Sequence, residues 1–375
     1  MFRLIKSIVY IFVLFFAVQF IINNLGNNTV TKDSALSGFK DLNIKQDIGA
    51  TVSDMYQDLR QTVNQLSSGK VEMPQTLPKE IQKKIPLKAP ARQVYSVYNV
   101  EIGDSKADIE RHLGAPKRSS MSEYGLKWYA YHDHYQHFMM VMYDKYDKAV
   151  GLYTDQDLIA STNGIKLGSK KEDVRAKMGE PSTAIQKGMV LYKMQNNNEY
   201  DMFLLNGVYT TIFYDKHEGN TVTAIQLIDQ NTEQQKTSIY TKASPELKEG
   251  FEYQLFDLTN SSRLQHQLPI LSWDQHVRDT AAKHSTDMAE HHYFDHTDPK
   301  GKSPFDRMAD DHIQFNMAGE NLAYGQFSSI FAHEGLMNSL GHRENILRNG
   351  YKYLGVGVAF NDQSQPYYTE NYYAN

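Results

Sequence analysis

The sequence predicts an α+β chain of several domains, and three observations carry that reading. A set of helix start and stop signals occurs twice in the middle of the chain, each time followed by aromatic, β-branched segments. The last third alternates amphipathic helical stretches with two strand-like runs at its end. The first 22 residues are almost wholly apolar behind two cations, as a membrane helix would be.

Taken in order, Arg3 and Lys6 precede an apolar run from Ile8 to Ile22 that only Gln19 interrupts. This is a signal anchor at 1–22, with the cations held in the cytoplasm and the bulk of the chain outside. Phe20-Ile21-Ile22 is too bulky for a small-residue cleavage site, so single-pass anchoring is preferred to secretion after cleavage. Residues 23–92 read as a helical stalk and spacer. Ile48, Val52, Met55, Leu59, Val63 and Leu66 form one apolar stripe, so residues 45–68 either self-associate or dock within the chain. Pro74, Pro78, Pro86 and Pro90 then enforce an extended linker. A net charge of −5 gives no pull toward nucleic acid, and the absence of cysteine removes disulfides, thiolate metal sites and cysteine nucleophiles.

Residues 93–235 read as a duplicated helix-plus-antiparallel-sheet domain. At an offset of 65 residues Gly103, Lys106, Asp108, Gly114 and Pro116 recur as Gly168, Lys171, Asp173, Gly179 and Pro181. Ser105 and Ser169 are placed to cap the two helices, and Gly114 and Gly179 to end them. His132, His134 and His137 suggest a metal cluster, but a strand end or turn accounts for them without one. Nothing in this domain has catalytic spacing, which leaves a binding or scaffolding role.

In residues 245–375, Phe251, Leu255, Leu258 and Ser262 mark one helix, and Val277, Ala281, His284 and Met288 mark a second, capped by Asp274. His296 follows in a loop closed by Pro299 and Gly301, and Ser303-Pro304 opens a short helix. Residues 328–340 form a further helix that Gly341 breaks just before His342. Leu354–Phe360 and Pro366–Tyr373 make a terminal hairpin.

The runs HTDPKGKSPFDR, GENLA and NSLGHRENIL, in that order and followed by GVGVAF, resemble the CAP superfamily of cysteine-rich secretory, antigen 5 and pathogenesis-related 1 proteins. The repeated middle domain is similar to the CAP-associated domain of bacterial membrane proteins. The resemblance implies a three-layer α-β-α sandwich with a cleft whose two histidines and two acidic residues can bind a divalent metal. His296, Glu320 and His342 match three of these. The fourth departs from the pattern: Leu336 replaces a tryptophan, Ser339 stands where a glutamate is expected, and Glu334 is the available substitute. Glu344, His291, His292, His312 and His333 read as exposed.

Two imidazoles with carboxylates suit Zn²⁺ or another divalent ion. The expected function is therefore an extracytoplasmic, membrane-anchored protein whose cleft binds a metal or a cell-wall or protein ligand. A metal-dependent hydrolase with Glu320 as the catalytic candidate is the alternative. His333-Glu334 lacks the second histidine of HExxH, and no G-x-S-x-G elbow occurs. A plain His–Glu staple is the structural alternative to either.

Overall fold

Five alternating layers of helix and sheet build the part of the chain that the computed structural model describes, residues 84–194 and 198–375. The anchor expected at 1–22 and the stripe at 45–68 lie outside the described residues. Among the described residues no helix is long and apolar enough to cross a membrane.

The first layer holds two short helices, α1 (Lys106–Leu113) and α2 (Lys171–Met178). Ser105 caps α1, its hydroxyl accepting the Asp108 N–H, and Gly114 ends it at positive φ. Ser169 does not do the same for α2. Its N-cap is Lys170, the true counterpart of Ser105 at the 65-residue offset, and it supplies no side-chain acceptor.

Both helices pack on one face of a seven-stranded antiparallel sheet of order β2-β3-β4-β5-β11-β10-β9. Its members are β2 (Arg118–Met121), β3 (Lys127–Asp133), β4 (Gln136–Tyr143), β5 (Ala149–Thr154), β9 (Tyr200–Leu205), β10 (Val208–Asp215) and β11 (Thr221–Asp229). Two short ribbons stand apart from it, β1 (Tyr95–Val97) with β6 (Ile159–Ser161) and β7 (Ala184–Lys187) with β8 (Val190–Lys193). Strands β2 to β5 follow α1, β9 to β11 follow α2, and the two sets join through the β5–β11 pair. His132, His134 and His137 sit at and beside the β3–β4 turn, where the Tyr135 N–H donates to His132 Nδ1.

Strand β4 is apolar without alternation, because both faces of this sheet are covered. Met139, Val141 and Tyr143 face the α1/α2 layer, whereas Phe138, Met140 and Met142 face a helix from the C-terminal part. That helix is α4 (Pro245–Gln265), reached through the short α3 (Gln230–Gln235) and capped by Ser244. Gly250 brings α4 against the backbone of β2: a Cβ there would lie 2.1 Å from the Met121 carbonyl oxygen. Phe251 and Leu255 of α4 share one core with Trp128 and Met140 of the sheet. Each such side chain contributes roughly 1.5–3 kcal/mol by leaving water.

Helix α4 also covers the second sheet, of order β12-β14-β15-β13: β12 (Ser272–Trp273), β13 (Met317–Tyr324), β14 (Tyr353–Phe360) and β15 (Pro366–Ala374). On the far face lie α5 (Gln275–His291) and α6 (Pro304–Asp310), which pack on alternate residues of the same strands. Gly355 and Gly357 let α5 approach this closely, since a Cβ on either would meet α5 backbone within 2.2 Å. The expected helix at 328–340 is two helices, α7 (Ser329–Met337) and α8 (Leu340–Ile346). The break falls at Asn338-Ser339, and Gly341 and His342 lie inside α8.

Candidate functional site: a histidine–glutamate–arginine cleft

His296, Glu320 and His342 come from a loop, a strand and a helix, and the structure brings them together. The His296 loop is shaped by Asp298, whose carboxylate accepts the Lys300 and Lys302 N–H groups at 2.9 Å. Arg307 of α6 ties the loop down by donating from Nη1 to the carbonyls of His296 and Lys302, at 2.8 and 3.0 Å. Helix α6 is itself fixed by a capping box between Ser303 and Asp306, with Pro304 in its first turn.

Glu320 projects from β13 with its side chain only 1% exposed. Oε1 lies 2.9 Å from His296 Nδ1, and Oε2 accepts from Arg307 Nη2 at 2.8 Å. The carboxylate therefore has both a cation and an imidazole on it. With Nδ1 as the donor, the pair fixes the tautomer of His296 and makes Nε2 the basic nitrogen. His284 of α5 lies close by, donating from Nε2 to the Asp295 carbonyl at 3.0 Å. Burial holds its pKa below the ordinary value, with Glu320 pulling the other way.

His342 Nδ1 is 2.8 Å from the Ser339 hydroxyl, so Ser339, at the expected glutamate position, partners the second imidazole. Burial lowers the His342 pKa, and the charge of nearby His296 lowers it further. Two asparagines hold the elements in register. Asn345 donates to the Glu320 carbonyl and to Asn321 Oδ1, both at 3.1 Å. Asn321 donates to the His342 carbonyl and to the buried Glu370 carboxylate, also at 3.1 Å. Thr259 and Tyr372 complete the Glu370 shell at 3.0 and 2.6 Å. Arg307, Asn321 and Asn345 all stand inside the motif runs, but their roles emerge only from the folded geometry. An asparagine inside a strand, where it is disfavoured, was the available signal for Asn321.

Glu334 does not join the cleft. It is buried at the joint between the two sheets' domains, with Oε1 accepting from Tyr153 OH at 2.7 Å. Burial, unrelieved by any cation, pushes its pKa up to about 8. Its neighbour His333 is likewise buried rather than exposed, with Nε2 2.8 Å from Ser262 Oγ and a pKa driven down to about 3 by burial. Glu344, His291, His292 and His312 are exposed, as expected. Beside the cleft, Arg307 also lines an open pocket of about 340 Å³ together with Lys283, His284, Asp287 and Lys300.

Among the described residues no group of three or more His, Asp or Glu is gathered to hold an ion. Glu320 is committed to Arg307 and His296, and Glu334 faces the other domain. That leaves His296 and His342, each with Nδ1 held by a second residue and Nε2 unassigned to either of those bonds.

Comparison with known proteins agrees with this architecture. The CAP-associated N-terminal family matches residues 102–238, and the cysteine-rich secretory protein (CAP) family matches residues 256–372. The chain thus carries a CAP-associated domain followed by a CAP domain. It is 27% identical over 297 residues to the uncharacterized membrane protein YlbC of Bacillus subtilis, covering 72% of this chain and 82% of that one. It is 38% identical over 135 residues to the uncharacterized protein YkwD of the same organism, which involves 34% of this chain and 52% of the relative. Among solved structures, an extracellular SCP-domain protein of Bacillus anthracis matches with a TM-score of 0.65 and 26% identity, covering 79% of this chain and all of that one. A cysteine-rich secretory protein of Staphylococcus aureus shares the fold with a TM-score of 0.59 at 13% identity, over 76% of this chain and 98% of that one.

Proposed function

We propose that the chain is an extracytoplasmic, membrane-anchored binding protein whose cleft takes its ligand on His296 and His342. Glu320 and Arg307 form the charged pair that orients the first imidazole. The observation carrying this reading is the double engagement of Glu320. A carboxylate already bonded to a guanidinium and an imidazole aims His296 and is not available as the base of a hydrolase. The neighbouring pocket, lined by Lys283, Lys300 and Arg307 together with Asp287 and Asp298, suits a polar ligand such as a wall or secreted peptide.

In this reading Zn²⁺ or another divalent ion is held by His296 and His342 alone, and it would supply Lewis acidity for a carbonyl or carboxylate of the ligand. The anchor is the 1–22 run, supported by the membrane-protein name of one relative and the extracellular description of one structural neighbour. The spacer at 23–92, with self-association through 45–68, the duplicated origin of residues 93–235 and a ligand-binding domain at 245–375 complete the organisation.

Calorimetric titration of the full chain with Zn²⁺ tests the cleft. Binding should weaken by an order of magnitude or more in both His296→Ala and His342→Ala. Equal affinity in wild type and both variants would reduce the residues to a structural staple. Turnover of peptidoglycan or casein by the full chain, abolished by Glu320→Gln, would favour the hydrolase instead.

A further inference from the structure

We infer that the CAP-associated domain positions His342, so that the CAP cleft is completed by contacts from its neighbour domain. The segment that aims His342 is the junction of α7 and α8. Asn338 breaks the helix there, and residues of the other domain surround it. The Lys216 N–H donates to Asn338 Oδ1 at 2.9 Å, and Asn338 Nδ2 donates to the Tyr214 carbonyl at 2.9 Å. The Asn338 carbonyl meets His217 Nε2 at 3.2 Å. The same Nδ2 also reaches the Glu334 carbonyl at 3.1 Å, which closes the end of α7.

One turn beyond, Arg343 fixes the other end of the segment. Its Nη1 donates to Asp215 Oδ2 at 2.8 Å, and Nη2 lies 3.3 Å from both Glu218 Oε1 and His266 Nε2. Between these two clamps stand Ser339 and His342, bonded to each other at 2.8 Å. Among the described residues, the hydrogen bonds that hold residues 338 and 343 from outside the CAP domain all come from one short stretch, Tyr214 to Glu218.

That stretch is built to stay in place. Asp215 Oδ1 caps the 3₁₀ turn Lys216–Glu218 by accepting the His217 and Glu218 N–H groups at 2.8 and 3.1 Å. Gly219 leaves the turn in the left-handed region, φ 71°, which suits a residue without Cβ. One Asp215 oxygen thus shapes the turn and the other holds Arg343. Asn338, Arg343 and Asp215 are all nearly excluded from water, so no solvent competes for these bonds. The helix break that turns α8 toward Glu320 is a product of the two-domain structure. Local sequence alone, with Gly341 three residues later, would place it elsewhere. The inference concerns geometry, and its consequence for binding rests on the proposed role of His342.

The test uses the full chain with ¹⁵N-labelled histidine. Asn338→Ala and Asp215→Asn should each move the imidazole ¹⁵N resonances of His342 toward those of Ser339→Ala. Those of exposed His291 should stay put. Zn²⁺ affinity should drop by about tenfold, the scale for losing a residue that orients a ligand. If Asn338→Ala does not fold, Asp215→Asn carries the test, because it keeps the shape of the turn and removes only charge. Unchanged His342 resonances in a folded Asp215→Asn chain would overturn the inference. If wild type binds no Zn²⁺ but His342 still shifts in the variants, the positioning stands and the binding reading falls.

Discussion

One histidine–carboxylate cluster lies in the cleft and another at the joint between domains, and they obey different rules. In the cleft, Glu320 is paired with a guanidinium and an imidazole, and His296 keeps 45% of its side chain exposed. At the joint, Glu334 meets the Tyr153 hydroxyl, Asp155 that of Ser261 and His333 that of Ser262, all uncharged partners. Burial therefore decides the charge. It raises Glu334 to about 8 and Asp155 to about 7, and lowers His333 to about 3. The same residue types form a neutral, dry seam in one place and a charged, half-open site in the other. A partner cation makes the difference.

The largest effect that would break the contrast is mechanical. Gly250→Ala puts a methyl where the Met121 carbonyl stands, with hard backbone on both sides. It should cost about 3 kcal/mol or more, and chemical unfolding should show the two domains separating before the cleft is lost. Such an overlap can be relieved only by undocking α4 from β2. A variant as stable as wild type would mean that the joint is loose.

Next comes the charge itself. Arg307→Met leaves Glu320 buried with only His296 to balance it. The loss should be about 2–3 kcal/mol, below the range for a wholly unpaired buried charge because the His296 imidazole stays hydrogen-bonded to Glu320. In a Glu320→Gln background the same substitution should cost less than about 1.5 kcal/mol, a coupling that a double-mutant cycle measures. Additive losses would show that the pair does not act as a unit.

How much of this was legible beforehand turns on the same contrast. His296, Glu320 and His342 could be named because each lies in a run whose order implies convergence. Glu334 could not be excluded, because a helix offers its faces equally until neighbours are placed. Only the packing of α7 against β5 and β10 decides that Glu334 points at Tyr153. The unbroken apolar run of β4 already implied a cover on both sheet faces, but the covering element lies a hundred residues away. The cap of α2 falls one position after Ser169, because local propensity favours serine whereas Lys170 is held by its bridge to Thr221.

A pH-dependent effect follows from proton linkage. Glu334 and Asp155 hold their protons more tightly when folded than when unfolded. The stability they confer is complete below pH 4 and is lost as pH rises toward 7–8, with a slope approaching about 1.4 kcal/mol per pH unit for each group. His333 acts in the opposite sense, its contribution being present above pH 6.5 and lost on acidification toward 3. Glu334→Gln should therefore flatten the alkaline limb of the stability profile and leave the acid limb unchanged. An unaltered alkaline limb would place the titrating group elsewhere.

The smallest effect gives the sharpest comparison, because one contact is repeated in both regions. Ser262 Oγ lies 2.8 Å from His333 Nε2 in the seam, and Ser339 Oγ lies 2.8 Å from His342 Nδ1 in the cleft. Distance alone predicts equal losses on removing either hydroxyl. Solvent access predicts otherwise. His333 is 1% exposed and its Nδ1 already lacks a partner, so Ser262→Ala leaves a whole imidazole unsatisfied and should cost about 1–2 kcal/mol. His342 is only partly buried, so water can take the place of the Ser339 hydroxyl, and Ser339→Ala should cost less than about 0.5 kcal/mol. Ser339→Ala should instead disturb the orientation of His342, visible in its ¹⁵N shifts. Urea denaturation of the two variants side by side checks the ordering. A loss at Ser339 as large as that at Ser262 would mean that the cleft is as dry as the seam, and a water-accessible binding site would then have to be sought elsewhere on the domain.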